Sequence, residues 1–312
     1  MSAFSEKTFD AELYSKFRPT YPEAFYDMIL EYHKQTGGGA NFLLDIGCGP
    51  GEASLPLIGK FRNLILTDMS PTMISRARKN CKVTIDKLVQ QKASNFERDH
   101  TIPASIKVEQ CASENLKKVI PKDGTIDLVI AAECAHWFDW EKWLDEMARV
   151  LKPSGTLAFF SYCDPIFLDE PQLNKIYDDF TYTNPKFIAK YWQQPGRNHL
   201  RSLNRKLNDA LSRDDRFENV KIRYYDPTSD DPSMSNAKDK MTIRKTYTLE
   251  QFCNYVDTWS ASHEWNNAHT EEGTTAGHEM FKLITQATNW NEKSQLTVDW
   301  RTVYAFSKRA NY

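Results

Sequence analysis

Several protein classes are excluded by what this chain does not contain. No two of its six cysteines (Cys48, Cys81, Cys111, Cys134, Cys163 and Cys253) form a C-x-x-C pair, and no histidine cluster has zinc spacing, so neither a structural metal nor a disulfide framework is expected. Scattered thiols of this kind are read as small buried apolar side chains. No apolar run approaches the roughly 20 residues that span a bilayer, and the opening "MSAFSEKTFDAELYSKF" is too polar for a secretory signal. The expectation is a cytoplasmic protein without a membrane partner. Charge of one sign is also missing: 40 Lys and Arg stand against 42 Asp and Glu, a net charge of −2 with no basic block. Nothing here attracts a nucleic acid. There is no internal repeat and no low-complexity tract.

What is present is enough apolar material for a substantial core, 40% of 312 residues. It falls into an alternating pattern. "FLLDI", "NLILTD", "IKVEQC", "TIDLVIAAEC" and "TLAFFSY" read as five short strands. Between them "GEASLPLIGKF", the long "SPTMISRARKNCKVTIDKLVQQKA" and "DWEKWLDEMARVLKPSG" read as helices, with Ser70 as an N-cap, Pro71 at the first helical position, and Pro153 and Gly155 ending the last of the three. "ENVKIRYY" reads as a sixth strand and "LTVDWRTVYAFSKR" as a closing one. The pattern predicts an α/β fold with a doubly wound, mostly parallel seven-stranded sheet covered on both faces. Residues 1–164 form the core with the first five strands. Residues 165–215 and 226–297 are insertions expected to form a helical lid, and 216–225 and 298–312 are the final strands, all in one structural unit. Residues 226–240 read as a polar loop, and 266–296 carry no readable pattern.

Ligands of such sheets sit beyond the carboxyl ends of the strands. At the first of those ends lies "FLLDIGCGPGEASL", residues 42–55, an apolar run that finishes in an acid and three alternating glycines. A dinucleotide site needs G-x-G-x-x-G, with amides and a helix N-terminus facing a pyrophosphate. Here the spacing is G-x-G-x-G (Gly47, Gly49, Gly51), and Asp45 precedes it. An acid at that point repels pyrophosphate and attracts a cation. S-adenosylmethionine meets the requirement, with an ammonium, a sulfonium and no phosphate, and the glycines let main chain approach its amino-acid end. Asp68, 23 residues after Asp45 at the end of the second strand, can accept from both ribose hydroxyls. Met69 then lies beside the adenine, with Ala112 and Ser113 (and Glu114) at its other edge.

These motifs resemble the class I S-adenosylmethionine-dependent methyltransferases over roughly residues 10–164. A narrower likeness spans nearly the whole chain. "RPTYP" (18–22), "ECAHWFDWEKW" (133–143), "DPIF" (164–167), "YWQQPGR" (191–197), "IRKTYTLEQFCNYVDTWSASHEW" (243–265) and "VDWRTVYAF" (298–306) resemble the fungal trans-aconitate methyltransferases. The likeness weakens in 80–108, 226–240 and 266–296. It implies methyl transfer to a carboxylate oxygen of a small polycarboxylic acid, giving a monomethyl ester. A monomer or weak dimer is expected.

Arginines suit the non-reacting carboxylates of such an acceptor, through bidentate pairing. Arg18, Arg197 and Arg244 are the candidates, each inside a block that carries the resemblance. His136 and Trp137 follow the fourth strand, where the methyl group is transferred; His136 could hydrogen-bond the acceptor and Trp137 could wall it. Tyr14 and Tyr21, near Arg18, could close over the sulfonium. Trp192 and Trp259 are lid aromatics, along with His263 and Trp265. Glu133 would hold an amine in another substrate class, but beside an anion it is expected to face the cofactor or to be structural. The same cofactor site serves methyltransferases of amines, phenols or xenobiotics, and a non-catalytic binding module. A nicotinamide dehydrogenase is the reading the glycine spacing favours least.

Overall fold

In a computed structural model, described here for residues 4, 6, 8–94, 102–236 and 238–311, one sheet organises the chain. Its strands are β1 (Phe42–Ile46), β2 (Asn63–Asp68), β3 (Ser105–Gln110), β4 (Ile126–Ala132), β5 (Leu151–Ile166), β6 (Phe217–Tyr225), β7 (Arg244–Thr248) and β8 (Gln295–Arg309). The spatial order is β3-β2-β1-β4-β5-β8-β6. The first five strands run parallel; β8 runs antiparallel to both β5 and β6. The sheet has one strand more than the seven expected. β8 is long enough for its first five residues, Gln295–Asp299, to pair with β7 beyond the reach of β6.

The apolar strands are continuous because both faces are covered. Successive residues feed two separate cores: Leu43, Leu128, Ile130, Ala158 and Phe160 one, and Leu44, Val129, Ala131, Leu157 and Phe159 the other. Helices α1 (Ala11–Phe17), α2 (Glu23–Gln35) and α3 (Pro71–Ser94) lie with the first core through Phe17, Phe25, Ile29, Ile74 and Ala77. Helix α4 (Trp140–Val150) closes the second through Trp143, Leu144 and Met147. Helices α5 (Gln172–Asp178), α6 (Gly196–Arg201) and α7 (Arg205–Arg213) follow β5. Of these α7 covers the sheet, with Leu207 and Leu211 in the second core, so the span 165–215 is not wholly a cap. A single turn, α8 (Pro232–Ser235), interrupts the polar loop. Helices α9 (Leu249–Asp257), α10 (Ser260–Ala268) and α11 (Ala276–Ala287) form a second layer beside β7.

One expected helix does not form, and one forms where no pattern was read, each for an identifiable reason. The stretch 51–61 holds only a 3-10 turn, Leu55–Leu57. Pro56 removes a donor, and Gly59 takes a left-handed φ of 92°. The unreadable 266–296 contains α11, whose start is fixed by the Thr275 hydroxyl accepting from His278 N–H. Its apolar face, Ala276, Met280 and Ile284, is buried, but the surrounding polar residues hide the spacing. Helix α4 also ends earlier than expected, at Val150, with Leu151 already in extended backbone.

Candidate active site

A cavity of about 320 Å³ opens beyond the carboxyl ends of β1, β2, β4 and β5 and is roofed by residues of α1, α6, α9 and α10. Fifteen of the residues singled out in the sequence line it: Tyr14, Arg18, Tyr21, Gly47, Gly49, Asp68, Met69, Ser113, Glu114, Glu133, His136, Trp137, Trp192, Arg197 and Trp259. Six do not, His263 and Trp265 among them. Ala112 and Gly51 stand behind the lining; a side chain at Gly51 would face Leu66 and Ala77 in the core. Asp45 is wholly buried beneath the glycine turn. Arg244 lies outside, on β7, with a largely exposed side chain bonded by Nε and Nη2 to both oxygens of Asp299 at 2.7 and 2.8 Å. Its guanidinium is spent on a structural pair, so it is not an acceptor clamp.

The turn after β1 is closed on itself. Cys48 N–H donates to Thr67 O, Gly51 N–H to Cys48 O, and Gly49 N–H to Asp68 Oδ2 at 2.9 Å, while Pro50 has no N–H. From Cys48 to Gly51 no amide is left for a phosphate, and no α-helix follows whose N-terminus could take one. Gly47 and Gly49 both have left-handed φ, 61° and 54°, for different ends. A Cβ at Gly47 would stand 2.7 Å from the Cβ of Cys134, so that glycine lets the turn pack on the second residue past β4. A Cβ at Gly49 would meet nothing within 4 Å, which leaves a cradle of bare main chain. Asp68 Oδ1 accepts from Ser70 N–H. Each of its oxygens therefore has one backbone donor and one lone pair to spare, the pair a ribose diol needs. Burial raises the carboxyl of Asp68, and its backbone donors oppose the rise.

Asp45 sits one layer deeper. Ser54 Oγ donates to its Oδ2 at 2.5 Å, and Oδ1 has no partner among the described residues. Burial pushes it up to about 7 against the Ser54 bond. Its charge is thus available beneath the cradle when a cation lies above it. Residues present therefore fit S-adenosylmethionine: Gly47, Gly49, Asp68, Met69 and Ser113 would hold it, with Asp45 underneath.

The other half of the cavity is aromatic and cationic. Pro19 keeps Arg18 extended (ψ 147°), ending α1 there. The Arg18 guanidinium donates to Thr258 Oγ1 (2.9 Å), Thr258 O (3.0 Å) and Tyr162 OH (3.4 Å), and lies over the Tyr14 ring. No carboxylate among the described residues pairs with it. Arg197 is buried at the start of α6, 4.0 Å over the Trp192 ring, and donates to Asp164 at 2.8 Å; its Nε has no partner among the described residues. Gly196 lacks a Cβ that would strike Trp137 at 2.3 Å, which brings that indole against α6. Trp259 stands against Tyr177, Tyr255 and Trp192. Tyr21 packs on Phe160 and Tyr162. His263 and Trp265 lie off the cavity, the first bonded to Glu6 and the second to Lys186 O.

Glu133 and His136 lie where both arginines act on them. Glu133, at a left-handed φ of 57°, accepts from Tyr162 N–H; burial raises it to about 7 while Arg18 and Arg197 oppose. His136 is buried with Nδ1 unpartnered, and burial, reinforced by Arg197, lowers it to about 3. Its imidazole is neutral at any physiological pH. The sequence reading missed Asp164, Tyr162, Tyr177, Tyr255 and Thr258. Asp164 was findable: it is an acid at the end of the fifth strand, followed by proline, as Asp45 and Asp68 are acids at the ends of the first two.

Two glycine substitutions should separate packing from recognition. Gly47→Ala should destabilise the fold by about 2–4 kcal/mol through overlap and backbone strain. Gly49→Ala should cost only about 1–2 kcal/mol for its φ, yet weaken S-adenosylmethionine binding at least about tenfold by filling the cradle. Chemical denaturation and calorimetry of both variants check this. Stability should also depend on pH. Asp45 and Glu133 hold protons more tightly folded than unfolded, where such groups titrate near about 4. Their contribution is whole below about 4 and is lost as pH rises through about 7. The melting temperature of the cofactor-free chain should fall between pH 5 and 8 (about one titration width either side of the midpoint). The fall should be shallower in Asp45→Asn; an identical slope contradicts the assignment.

The family model for a methyltransferase domain matches residues 44–159, which are β1 to β5 with the glycine turn. A probable S-adenosylmethionine-dependent methyltransferase of Saccharomyces cerevisiae is 26% identical over 310 residues, 99% of this chain and 98% of that one. A methyltransferase of Aspergillus candidus is 32% identical over 165 residues, 51% of this chain and 46% of its own length. The chain likewise spans about half of a Pestalotiopsis fici methyltransferase, at 28% identity over 188 residues, 59% of this chain and 52% of that one. Among solved structures, one assigned as a type II methyltransferase of Anaeromyxobacter dehalogenans shares the fold at a TM-score of 0.60 and 19% identity, over 95% of this chain and all of the other. With the glycine turn and the strand order, these likenesses give the chain a Rossmann-like methyltransferase fold, with S-adenosylmethionine as its cofactor.

Proposed function

We propose that the chain methylates a carboxylate oxygen of a small polycarboxylic acid, with trans-aconitate the acceptor its sequence blocks favour. The observation that carries the reading is the surplus of guanidinium donors in the acceptor half of the cavity. Arg18 has no carboxylate partner among the described residues, and Arg197 keeps a buried Nε–H unspent. An unpaired buried charge is costly, and an anionic acceptor relieves it.

Bound at the glycine turn, S-adenosylmethionine supplies an electrophilic methyl group on a positively charged sulfur. The residues of the chain do the rest by placement. Arg18 and Arg197 hold carboxylates that do not react, leaving one oxygen free of strong donors. No general base is needed, since a carboxylate is ionised at pH 7. Tyr14, Tyr21, Trp192 and Trp259 wall the site and exclude water, which favours a step that cancels opposite charges. The segments after β5 and around α9 serve as the lid. His136, held neutral, can donate to or accept from the acceptor without adding charge. Positioning of this kind is worth roughly 7–11 kcal/mol.

A second reading rests on Glu133. A carboxyl raised to about 7 beside the cavity would suit proton removal from a hydroxyl acceptor. The two readings part on pH. For a carboxylate acceptor, kcat is flat from about pH 6 to about pH 8, one unit either side of that midpoint, and survives Glu133→Gln. For a hydroxyl acceptor it climbs through about 7 and is abolished by that substitution.

With labelled methyl donor and a panel of di- and tricarboxylates, trans-aconitate should acquire label that mild base releases. Arg18→Ala should raise its KM at least about tenfold with cofactor affinity unchanged. Base-stable label, or an unaltered KM in that variant, contradicts the proposal.

A further inference from the structure

Arg197 does not hold itself. Its Nη2 donates to Asp164 Oδ1 at 2.8 Å and also to the hydroxyl of Tyr182. The same Oδ1 accepts from Tyr177 OH at 2.7 Å and from Tyr182 OH, while Oδ2 accepts from Arg301 Nη2. One carboxylate therefore joins α5, the turn after it, α6 and β8. It reaches that point by an irregular backbone. The β5–β8 register shifts between Cys163 and Pro165, and Asp164 has a left-handed φ of 51°. A bulge re-aims a side chain, and a non-glycine residue at such a φ is strained. Asp164 is 9% exposed. The arginines beside it hold its carboxyl well below the usual aspartate range, against the effect of burial.

The charge count shows what the arrangement leaves over. Arg197, Arg301 and, at 3.7 Å, Arg201 surround Asp164. The acid engages Nη2 of Arg197 but not the adjacent Nε, which keeps no partner among the described residues. Arg197 and Asp164 both line the cavity. A carboxylate that only stabilised the cap could have taken Nε and Nη2 together, as Asp299 takes Arg244.

Resting on the carboxylic-acid reading above, we propose that Asp164 is a positioning residue for methyl transfer: it fixes Arg197 through Nη2, so that the guanidinium is held at the cavity as the second acceptor anchor beside Arg18. Among the described residues Asp164 has no ion pair with Arg18 and no hydrogen bond to the glycine turn. Its loss should then appear in acceptor binding and not in cofactor binding. An amide in its place turns one acceptor into a donor facing guanidiniums, which releases Arg197.

The test is steady-state kinetics with trans-aconitate, together with calorimetric binding of S-adenosylmethionine, for the whole chain, Asp164→Asn and Tyr182→Phe. Tyr182→Phe keeps the charges and removes one hydroxyl that links Asp164 to Arg197, so it serves where the first variant does not fold. Asp164→Asn should raise KM at least about tenfold, and Tyr182→Phe about threefold, with kcat and cofactor affinity within about twofold of the parent. An unchanged KM in folded Asp164→Asn, or in Tyr182→Phe where the first variant does not fold, overturns the proposal while leaving the acid reading intact. So does a parallel fall of kcat, acceptor binding and cofactor binding, the mark of a purely structural role. A parent chain that neither binds nor methylates trans-aconitate or any acid of the panel overturns both readings together.

Discussion

The site depends on the hydrogen bond from Gly49 N–H to the Asp68 carboxylate. It ties the tip of the first strand's turn to the end of the second, and it takes the amide that a phosphate-binding turn would present outward. With Cys48 and Gly51 N–H turned onto Thr67 and Cys48 carbonyls and Pro50 lacking an N–H, residues 48–51 leave no amide to face an anion. They offer carboxylate lone pairs and bare Cα surface instead. That combination disfavours pyrophosphate and suits a cationic nucleoside bound through its hydroxyls.

The rest of the cavity follows from where the sheet puts its strand ends. β4 and β5 end beside the turn, and Glu133, just past β4, and Asp164, at the bulge near the end of β5, both adopt left-handed backbone. Each strained acid faces the arginines that line the acceptor half. Arg18 arrives from the chain before β1 and Arg197 from the segment after β5, so the acceptor is held by parts of the chain far apart in sequence. The aromatic walls that separate them from solvent come from still other segments. The cofactor half is local and compact; the acceptor half is assembled from long-range contacts.

That difference decides what could be read from sequence. The parallel strands of the doubly wound sheet, and the glycine turn with Asp68 at the end of the second strand, follow from patterns a few residues long, which obey period, capping and turn chemistry. The depth of Asp45 does not, because an acid at a strand end looks alike whether it borders a cavity or lies under it. Arg244 misled for a related reason: a motif block shows that residues occur together, not which side of a strand they occupy, and Asp299 is 55 residues away. Asp164 was overlooked because its importance comes from four partners on four other segments. The eighth strand escaped because β8 had to be longer than its partner β6 for β7 to have an edge to pair with.

The central claim is that donor supply at the glycine turn sets the cofactor, and calorimetric titration of the purified chain with S-adenosylmethionine and, separately, with NAD tests it most directly. The account predicts saturable one-to-one binding of the first and no saturable heat with the second. Comparable binding of NAD, or no binding of S-adenosylmethionine, would contradict it.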